Sequence, residues 1–460
     1  MKIALIAFGN EESYGLLVVG GELLRYNQEI SFFDAEEENI TKQVCDWKPD
    51  FIFFSPMTTF FPKALQISRE IKSSISKVVS VFGGHHAMSS PSISELEGVD
   101  IVVIGPVSGS IEKILKKEQR VIQTSPSRPD DLPMPARNEY YRDIPRMANR
   151  YRKIMLSMLG CPWDCSFCSS SSGHLRNIFG QEAHQRYYLS RRPLSAIIRE
   201  VKELLKYKTV EIEWVDDDIF FGADIETWIP EFVEVWEKEI SLPMYVSTTS
   251  HYALKVSDNV LAQLRRIVNC IGVGIQAIRP ESLKLCNRSW DNETKMKMAY
   301  ERLRSFGYSV NLQCIVGLPV DDPVEDALET IKGLQRIGKG SICSCYPLMI
   351  YPGTAIEKFC AGKGFSINAA CNGDTNSGTA GLAFPEMTIK RIRNICKLAT
   401  LFVKYNISEE WMRALMDIDL DDETSKALAT VRYFECVNDR LKRNGKQVFE
   451  EIIQSTKIRY

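Results

Sequence analysis

Three thiols lie on one short stretch, Cys161-Pro-Trp-Asp-Cys165-Ser-Phe-Cys168, in a C-x3-C-x2-C spacing. Three thiolates from one loop can hold three irons of a four-iron cluster. The fourth iron then has no protein ligand from that loop, and an open corner on a redox-active metal is where a substrate or cofactor can chelate. Two other readings stand beside this one. A zinc ion could be completed by His174, although structural zinc usually takes two ligand pairs and no second C-x-x-C follows. Buried cysteines could also cluster by chance. Gly160 before the loop and Pro162 inside it mark a turn at the end of an apolar strand, which speaks against chance.

Such a loop needs elements that hold it. Six apolar strand patterns, 153–159, 209–215, 244–249, 271–276, 309–316 and 341–348, alternate with helical patterns at 194–207, 225–238, 259–268, 293–306 and 325–337. Consecutive strand–helix units of this kind build parallel sheet, and barrels built from them place their sites at the carboxyl ends of the strands. The cysteine loop falls at such an end.

Residues 1–125 alternate in the same way, with apolar runs at 2–8, 30–33, 51–55, 78–82 and 101–104. They read as a parallel sheet covered on both faces, with ligand at the strand ends. Those ends are Gly9-Asn10, Ser55-Pro56-Met57-Thr58-Thr59, Gly83-Gly84-His85-His86 and Gly105-Pro106. Paired glycines let backbone approach a large ligand closely, and the hydroxyls of Ser55, Thr58 and Thr59 offer a polar rim. The plainer reading of Gly83-Gly84 is a turn, and of His85-His86 a polar loop. No G-x-G-x-x-G follows the first strand, so the dinucleotide fingerprint is absent. Pro126, Pro129, Pro133 and Pro135 mark a linker, taken as 126–150.

The spacing and setting of Cys161, Cys165 and Cys168 resemble those of the radical S-adenosylmethionine (SAM) enzymes, whose partial (β/α)6 barrel the six units at 151–355 match. The resemblance implies that the three cysteines hold a [4Fe-4S] cluster and that SAM chelates the open iron. It implies SAM contacts at the strand ends. Asp216 and Asp217 would meet the ammonium group, with a solvated charge run as the plain alternative. Ser247 and Thr248 would meet ribose hydroxyls, with ordinary strand residues as theirs. Gln276 and Arg288, in a G-x-Q…R segment, fall near the carboxylate. Phe167, Ile315 and Gly317 fall near adenine, and Tyr351 in the segment Tyr351-Pro-Gly-Thr354 is typical of the same branch. The run Val81-Phe-Gly-Gly-His85, the strand before Gly105 and the linker Asp131-Leu-Pro-Met-Pro-Ala-Arg137 resemble the Rossmann-like cobalamin-binding domain fused before such barrels. Ser55, Thr58, Thr59, Gly83, Gly84, His85 and Gly105 would then face cobalamin. Two departures are visible: Gly105-Pro-Val-Ser-Gly109 replaces the usual Gly-Glu-Gly-Glu, and no D-x-H-x-x-G supplies a cobalt ligand. No general acid or base stands out.

Residues 356–460 read as a loop, rich in Gly, Asn, Ser, Thr and Ala over 362–384, followed by a small helical domain with apolar stripes at 389–402 and 428–441. The basic stretch 440–446 reads as a solvated helix end. Composition bounds the function. Lys plus Arg number 57 against 59 Asp plus Glu, for a net charge of -2, so bulk charge gives no reason to bind nucleic acid. No apolar run approaches the ~18 residues of a membrane span. Thirteen scattered cysteines without a secretory signal fit a reducing cytoplasm. The expectation is a cobalamin-dependent C-methyltransferase acting on a small metabolite or peptide, served by an electron donor such as a flavodoxin or ferredoxin. A radical enzyme that transfers no methyl group and a metal-cluster scaffold without turnover are the alternatives.

Overall fold

The computed structural model describes residues 1–124, 132–185, 189–367 and 381–420. The stripe at 428–441, the basic stretch at 440–446, the first six residues of the proline linker and the middle of the 362–384 loop lie outside them.

The first sheet contains β1 (Lys2–Ala7), β2 (Glu29–Asp34), β3 (Phe51–Phe54), β4 (Val79–Phe82), β5 (Ile101–Ile104) and β6 (Val121–Gln123). Their order is β2-β1-β3-β4-β5-β6, with every pairing parallel. The inner strands β3, β4 and β5 are buried at every residue, as helices on both faces require. The order reverses between β1 and β3, and beside such a switch point an open parallel sheet leaves a crevice at its strand ends.

The second sheet contains β7 (Arg152–Met155), β8 (Glu211–Trp214), β9 (Met244–Thr248), β10 (Val268–Gln276), β11 (Ser309–Val316) and β12 (Ile342–Pro347), in the order β12-β11-β10-β9-β8-β7. Each strand neighbours the next in sequence, which is half of a (β/α) barrel. Exposure alternates along its strands. Glu213, Ser247, Gln313, Ile315, Ser344 and Tyr346 open on one face, and their buried neighbours lie on the other. That other face carries Cys314, Cys343 and Cys345 toward helix Glu386–Lys404, where Thr400 Oγ1 donates to the Cys343 carbonyl at 2.6 Å. The helix thus covers edge strand β12, and with Glu409–Met416 it packs on the barrel instead of standing apart.

By compactness the chain divides into two units. One comprises Met1–Gly160, Ser169–Thr209 and Tyr351–Gly353, and the other Cys161–Cys168, Val210–Ile350 and Thr354–Tyr460.

Candidate functional site

In the second unit, helix Pro280–Leu285 ends at Cys286, and Asn287 turns the chain with a left-handed φ of 55°. This turn grips the cysteine loop. Ser166 N donates to the Cys286 carbonyl (3.2 Å), Ser166 Oγ to the Leu285 carbonyl (2.6 Å) and Asn287 Nδ2 to the Asp164 carbonyl (2.8 Å). From the other side, Ile356 N donates to the Ser166 carbonyl at 2.9 Å. The backbone that carries the thiols is therefore fixed by protein contacts alone.

Burial pushes the Cys161 thiol up, and the Asp217 carboxylate and the other two thiols add to the effect. Cys165 is raised by burial as well, while the Arg288 guanidinium, with Nη1 3.8 Å from its Sγ, pulls it back. Arg288 is itself buried; its Nη2 donates to the Gly274 carbonyl (2.7 Å) and pairs with Asp291 (3.5 Å). Among the described residues no three metal-binding side chains converge on one point, as a zinc ion would need. Three thiolates that each bind a different iron need no such convergence. His174, the zinc alternative, has its Nε2 2.9 Å from Ser89 Oγ. Two buried donors near the loop, Trp163 Nε1 and Arg288 Nε, have no hydrogen-bond partner among the described residues. Sulfur-rich anionic matter would accept from them, so the residues fit a cluster.

At the strand ends, the three aspartates after β8 differ. Asp218 is fully buried and accepts from Thr248 Oγ1 (2.8 Å), Thr249 Oγ1 (2.9 Å), Thr249 N (3.0 Å) and Phe220 N (3.2 Å). It braces β8 against β9, and Thr248 is buried in that brace. Asp216 is buried too, but Asp217 is exposed. Burial first, then Asp216 and Asp218, nevertheless push its carboxyl up to about 7. Both facts hold for a group on the wall of a recess, which water reaches while protein fills most directions around it. Ser247, Phe167, Gln276 and Ile315 are half-buried. Gln276 takes a left-handed φ of 69° at a bulge in β10, and its amide folds over Gly274, where a Cβ would lie 2.8 Å from Nε2. Gly317 has φ 74°. Tyr351 belongs to the first unit and is half-buried there.

The first unit places the other candidate residues at the ends of β3, β4 and β5. Gly84 has φ 79°, and a Cβ on it would lie 2.5 Å from Ser55 Oγ. Gly105 has φ 101°, and a Cβ there would meet Thr124 Oγ1 at 2.7 Å and Phe179 at 3.1 Å. At both places the missing side chain lets a neighbouring protein residue pack close; Gly83 is half-buried beside them. Thr59 is buried, and Thr58 Oγ1 lies 3.2 Å from His86 Nδ1. His86 stacks on Phe61 at 4.1 Å, and burial lowers its pKa to about 4. His85 is exposed, and burial and then His174 lower its pKa. Strand ends at which the hydroxyl-bearing Ser55 and Thr58 and the His85 imidazole stay accessible fit a large polar corrin ligand.

Compared with known protein families, residues 155–334 match the radical SAM superfamily and residues 8–115 match the B12 binding domain. This chain is a radical SAM enzyme with a B12-binding domain. Its cofactors are a [4Fe-4S] cluster, SAM and cobalamin. The enzyme is 21% identical over 370 residues to an uncharacterized methyltransferase of Pyrococcus horikoshii, covering 73% of this chain and 76% of that one. It is 24% identical over 337 residues to hopanoid C-3 methylase of Methylococcus capsulatus, covering 66% of this chain and 61% of the methylase. Its fold is similar to that of the radical SAM methyltransferase TsrM from Kitasatospora setae with tryptophan substrate and a SAM analog bound. There the TM-score is 0.59 at 16% identity, over 80% of this chain and 79% of that one. For the cobalamin-dependent SAM radical enzyme OxsB, with aqua-cobalamin and SAM bound, the TM-score is 0.60 at 12% identity, over 99% and 75%. At these identities the two likenesses are of fold. No described helix is long and apolar enough to cross a membrane.

Reading the sequence missed two features. Around Trp163 gather Trp290, His251 and Tyr252; a tryptophan inside the cysteine motif and another two residues after Arg288 were the available signals. In the first unit, Arg137 of the linker motif is buried between Glu12 (3.2 Å) and Glu200 (3.0 Å), and Arg192 joins Glu200 at 2.8 Å. Nothing local in the sequence pairs residues so far apart.

Proposed function

We propose that this radical SAM enzyme transfers a methyl group from SAM to an unactivated carbon of a small metabolite or peptide. When bound, the cluster supplies the electron that breaks SAM, and cobalamin supplies a carrier that reverses the polarity of the methyl group. Cys161, Cys165 and Cys168 hold the cluster, and Arg288 tempers the charge at Cys165. Asp217 receives the ammonium end of SAM from its recess wall, Ser247 a ribose hydroxyl, and Gln276 lies at the carboxylate end. Phe167, Ile315 and Gly317 meet adenine. Ser55, Thr58, Gly84, His85 and Gly105 line the corrin crevice. The carrying observation is that one chain holds both a three-thiol loop fixed by hydrogen bonds and, at the ends of β3 and β4 of a separate parallel sheet, accessible Ser55, Thr58 and His85. The methyltransferase names of the two relatives support the reading. A polar substrate agrees with the open sheet face, where Gln313, Ser344 and Tyr346 are accessible. The reducing electron comes from a small carrier such as a flavodoxin or ferredoxin.

A second reading keeps radical formation without methyl transfer. It is favoured by Gly105-Pro106, which leaves the end of β5 without the carboxylates usual in the resembling module. Anaerobically reconstituted enzyme, given SAM and a reductant, separates the two. Equal yields of 5′-deoxyadenosine and S-adenosylhomocysteine, with bound cobalt, support the methyltransferase. The first product alone supports the second reading, and neither product would refute both and leave a scaffold.

A further inference from the structure

We propose that the outer side of the cysteine loop is the docking face for an acidic one-electron carrier protein, received by Lys255, Lys295 and His251 around the stacked rings of Trp163 and Trp290. The inference rests on the proposed reading, in which electrons must reach the cluster one at a time from outside.

Trp163 stands in the chain between Cys161 and Cys165, so it adjoins two cluster ligands. Its ring stacks on Trp290 with centroids 4.1 Å apart and planes 18° from parallel. The ring of His251 meets it edge-on at 5.2 Å, and that of Tyr252 at 5.6 Å. On the other side of Trp290 lies the Arg288 guanidinium, 4.6 Å from the ring, and Arg288 reaches Cys165. Stacked and edge-on aromatic groups of this kind form a rigid, well-packed nest. The nest comes to the surface. Trp163, Trp290 and Tyr252 are half-buried, whereas His251, Lys255 and Lys295 are exposed.

The rim of this nest is positive. Lys295 Nζ donates to the Trp290 carbonyl at 2.6 Å, and Lys255 Nζ lies 5.9 Å from the Tyr252 ring. Burial first, then both ammonium groups, disfavour protonation of His251, while the buried Asp291 carboxylate favours it. Three carboxylates of the neighbouring elements are already matched, while Asp217, whose charge is felt at Cys161, is exposed. Asp291 is buried against Ser250 and Arg288, Asp258 pairs with Arg302 at 2.6 Å, and Glu293 pairs with Arg336 at 2.7 Å. Asp164 is the exposed carboxylate within the loop itself. Among the described residues neither Lys255 nor Lys295 forms an ion pair, on a chain whose net charge is -2. A local positive rim on a slightly negative protein selects an acidic partner and steers its approach. In the step itself, the carrier's reduced centre is oxidised by one electron and the cluster is reduced by one. No bond in the protein is made or broken, and no proton is needed.

The test uses the anaerobically reconstituted enzyme and an acidic flavodoxin. Calorimetric titration with oxidised flavodoxin measures binding, and stopped-flow mixing with reduced flavodoxin measures loss of the cluster's visible absorbance. Dithionite, a small reductant that needs no docking face, is the control. Lys255→Glu with Lys295→Glu is expected to weaken binding and slow reduction by flavodoxin about tenfold or more, with the effect shrinking at high salt. Reduction by dithionite stays unchanged. Unchanged binding and flavodoxin kinetics would overturn the proposal. Equal slowing with both reductants would overturn it too, because the lysines would then be holding the loop. Failure of the underlying reading is seen earlier and separately, as absence of iron–sulfur absorbance before any donor is added.

Discussion

Cys165 sits under two opposed influences: burial, which keeps its thiol protonated, and the Arg288 guanidinium, which favours the thiolate. A metal that takes the thiolate resolves the conflict. Cys165→Ala is therefore expected to lose iron on reconstitution and to make no 5′-deoxyadenosine, with both measured anaerobically; retained cleavage of SAM would refute the cluster assignment. Asp218 shows a different balance. Its four donors favour the carboxylate, but burial outweighs them and pushes its pKa up to about 7. In the unfolded chain an aspartate releases its proton at about 4. Between these limits the folded state binds a proton that the unfolded state does not, so stability falls as pH rises through the window. Urea midpoints at about pH 5 and about pH 8 should show this decline. Asp218→Asn should remove about half of it, because Asp217 is also pushed up to about 7 and titrates in the same window; an undiminished decline in that variant would assign it to other groups.

At the scale of elements, glycines decide how closely chain segments approach. Helix Tyr14–Arg25 carries Gly20 and Gly21 on the face where the linker residues Pro133–Ala136 cross it, and a Cβ at Gly21 would be driven into the Met134 carbonyl. Gly84 begins the helix after β4 in a left-handed conformation, which costs an ordinary residue about 1–2 kcal/mol. Gly84→Ala adds a collision with Ser55 to that cost. Cobalamin affinity is expected to fall about tenfold or more, since ~1.4 kcal/mol is tenfold. Cobalt retained per chain after gel filtration measures it, and Ser55→Ala in the same chain should restore part of the loss. Full retention in Gly84→Ala would remove this position from the crevice.

Over the whole molecule, the longest-range organiser in the first unit is a buried charge network. Arg137 joins Glu12 and Glu200 and donates to the Ile154 carbonyl on β7 at 2.7 Å, while Arg192 bonds Glu200 and Tyr14. Two arginines against two glutamates leave it neutral. Breaking a buried pair strands its partner, at a cost of about 3–5 kcal/mol. Arg137→Met should lower unfolding stability by about that much in a denaturant titration. Adding Glu12→Gln should recover part of the loss; no change in Arg137→Met would mean that the network contributes little.

The sequence alone determined most of the strands, and the resemblance carried by its cysteine motif pointed to the cofactor chemistry. Apolar runs separated by helical stripes placed the strands within a few residues, because period and burial are local properties of the chain. The cysteine loop was legible because three ligands on one turn are local too. Strand β6 escaped notice, being three residues long with exposed ends, too short for any periodicity to register. Only the tertiary structure distinguished Asp217, open on a recess wall, from Asp218, locked under two threonines, since neighbours in sequence point to opposite sides of a chain. It alone joined Glu12, Arg137 and Glu200, and it alone set Trp290 on Trp163. Charge pairing and ring stacking depend on distance in space, and no spacing along the chain encodes that distance.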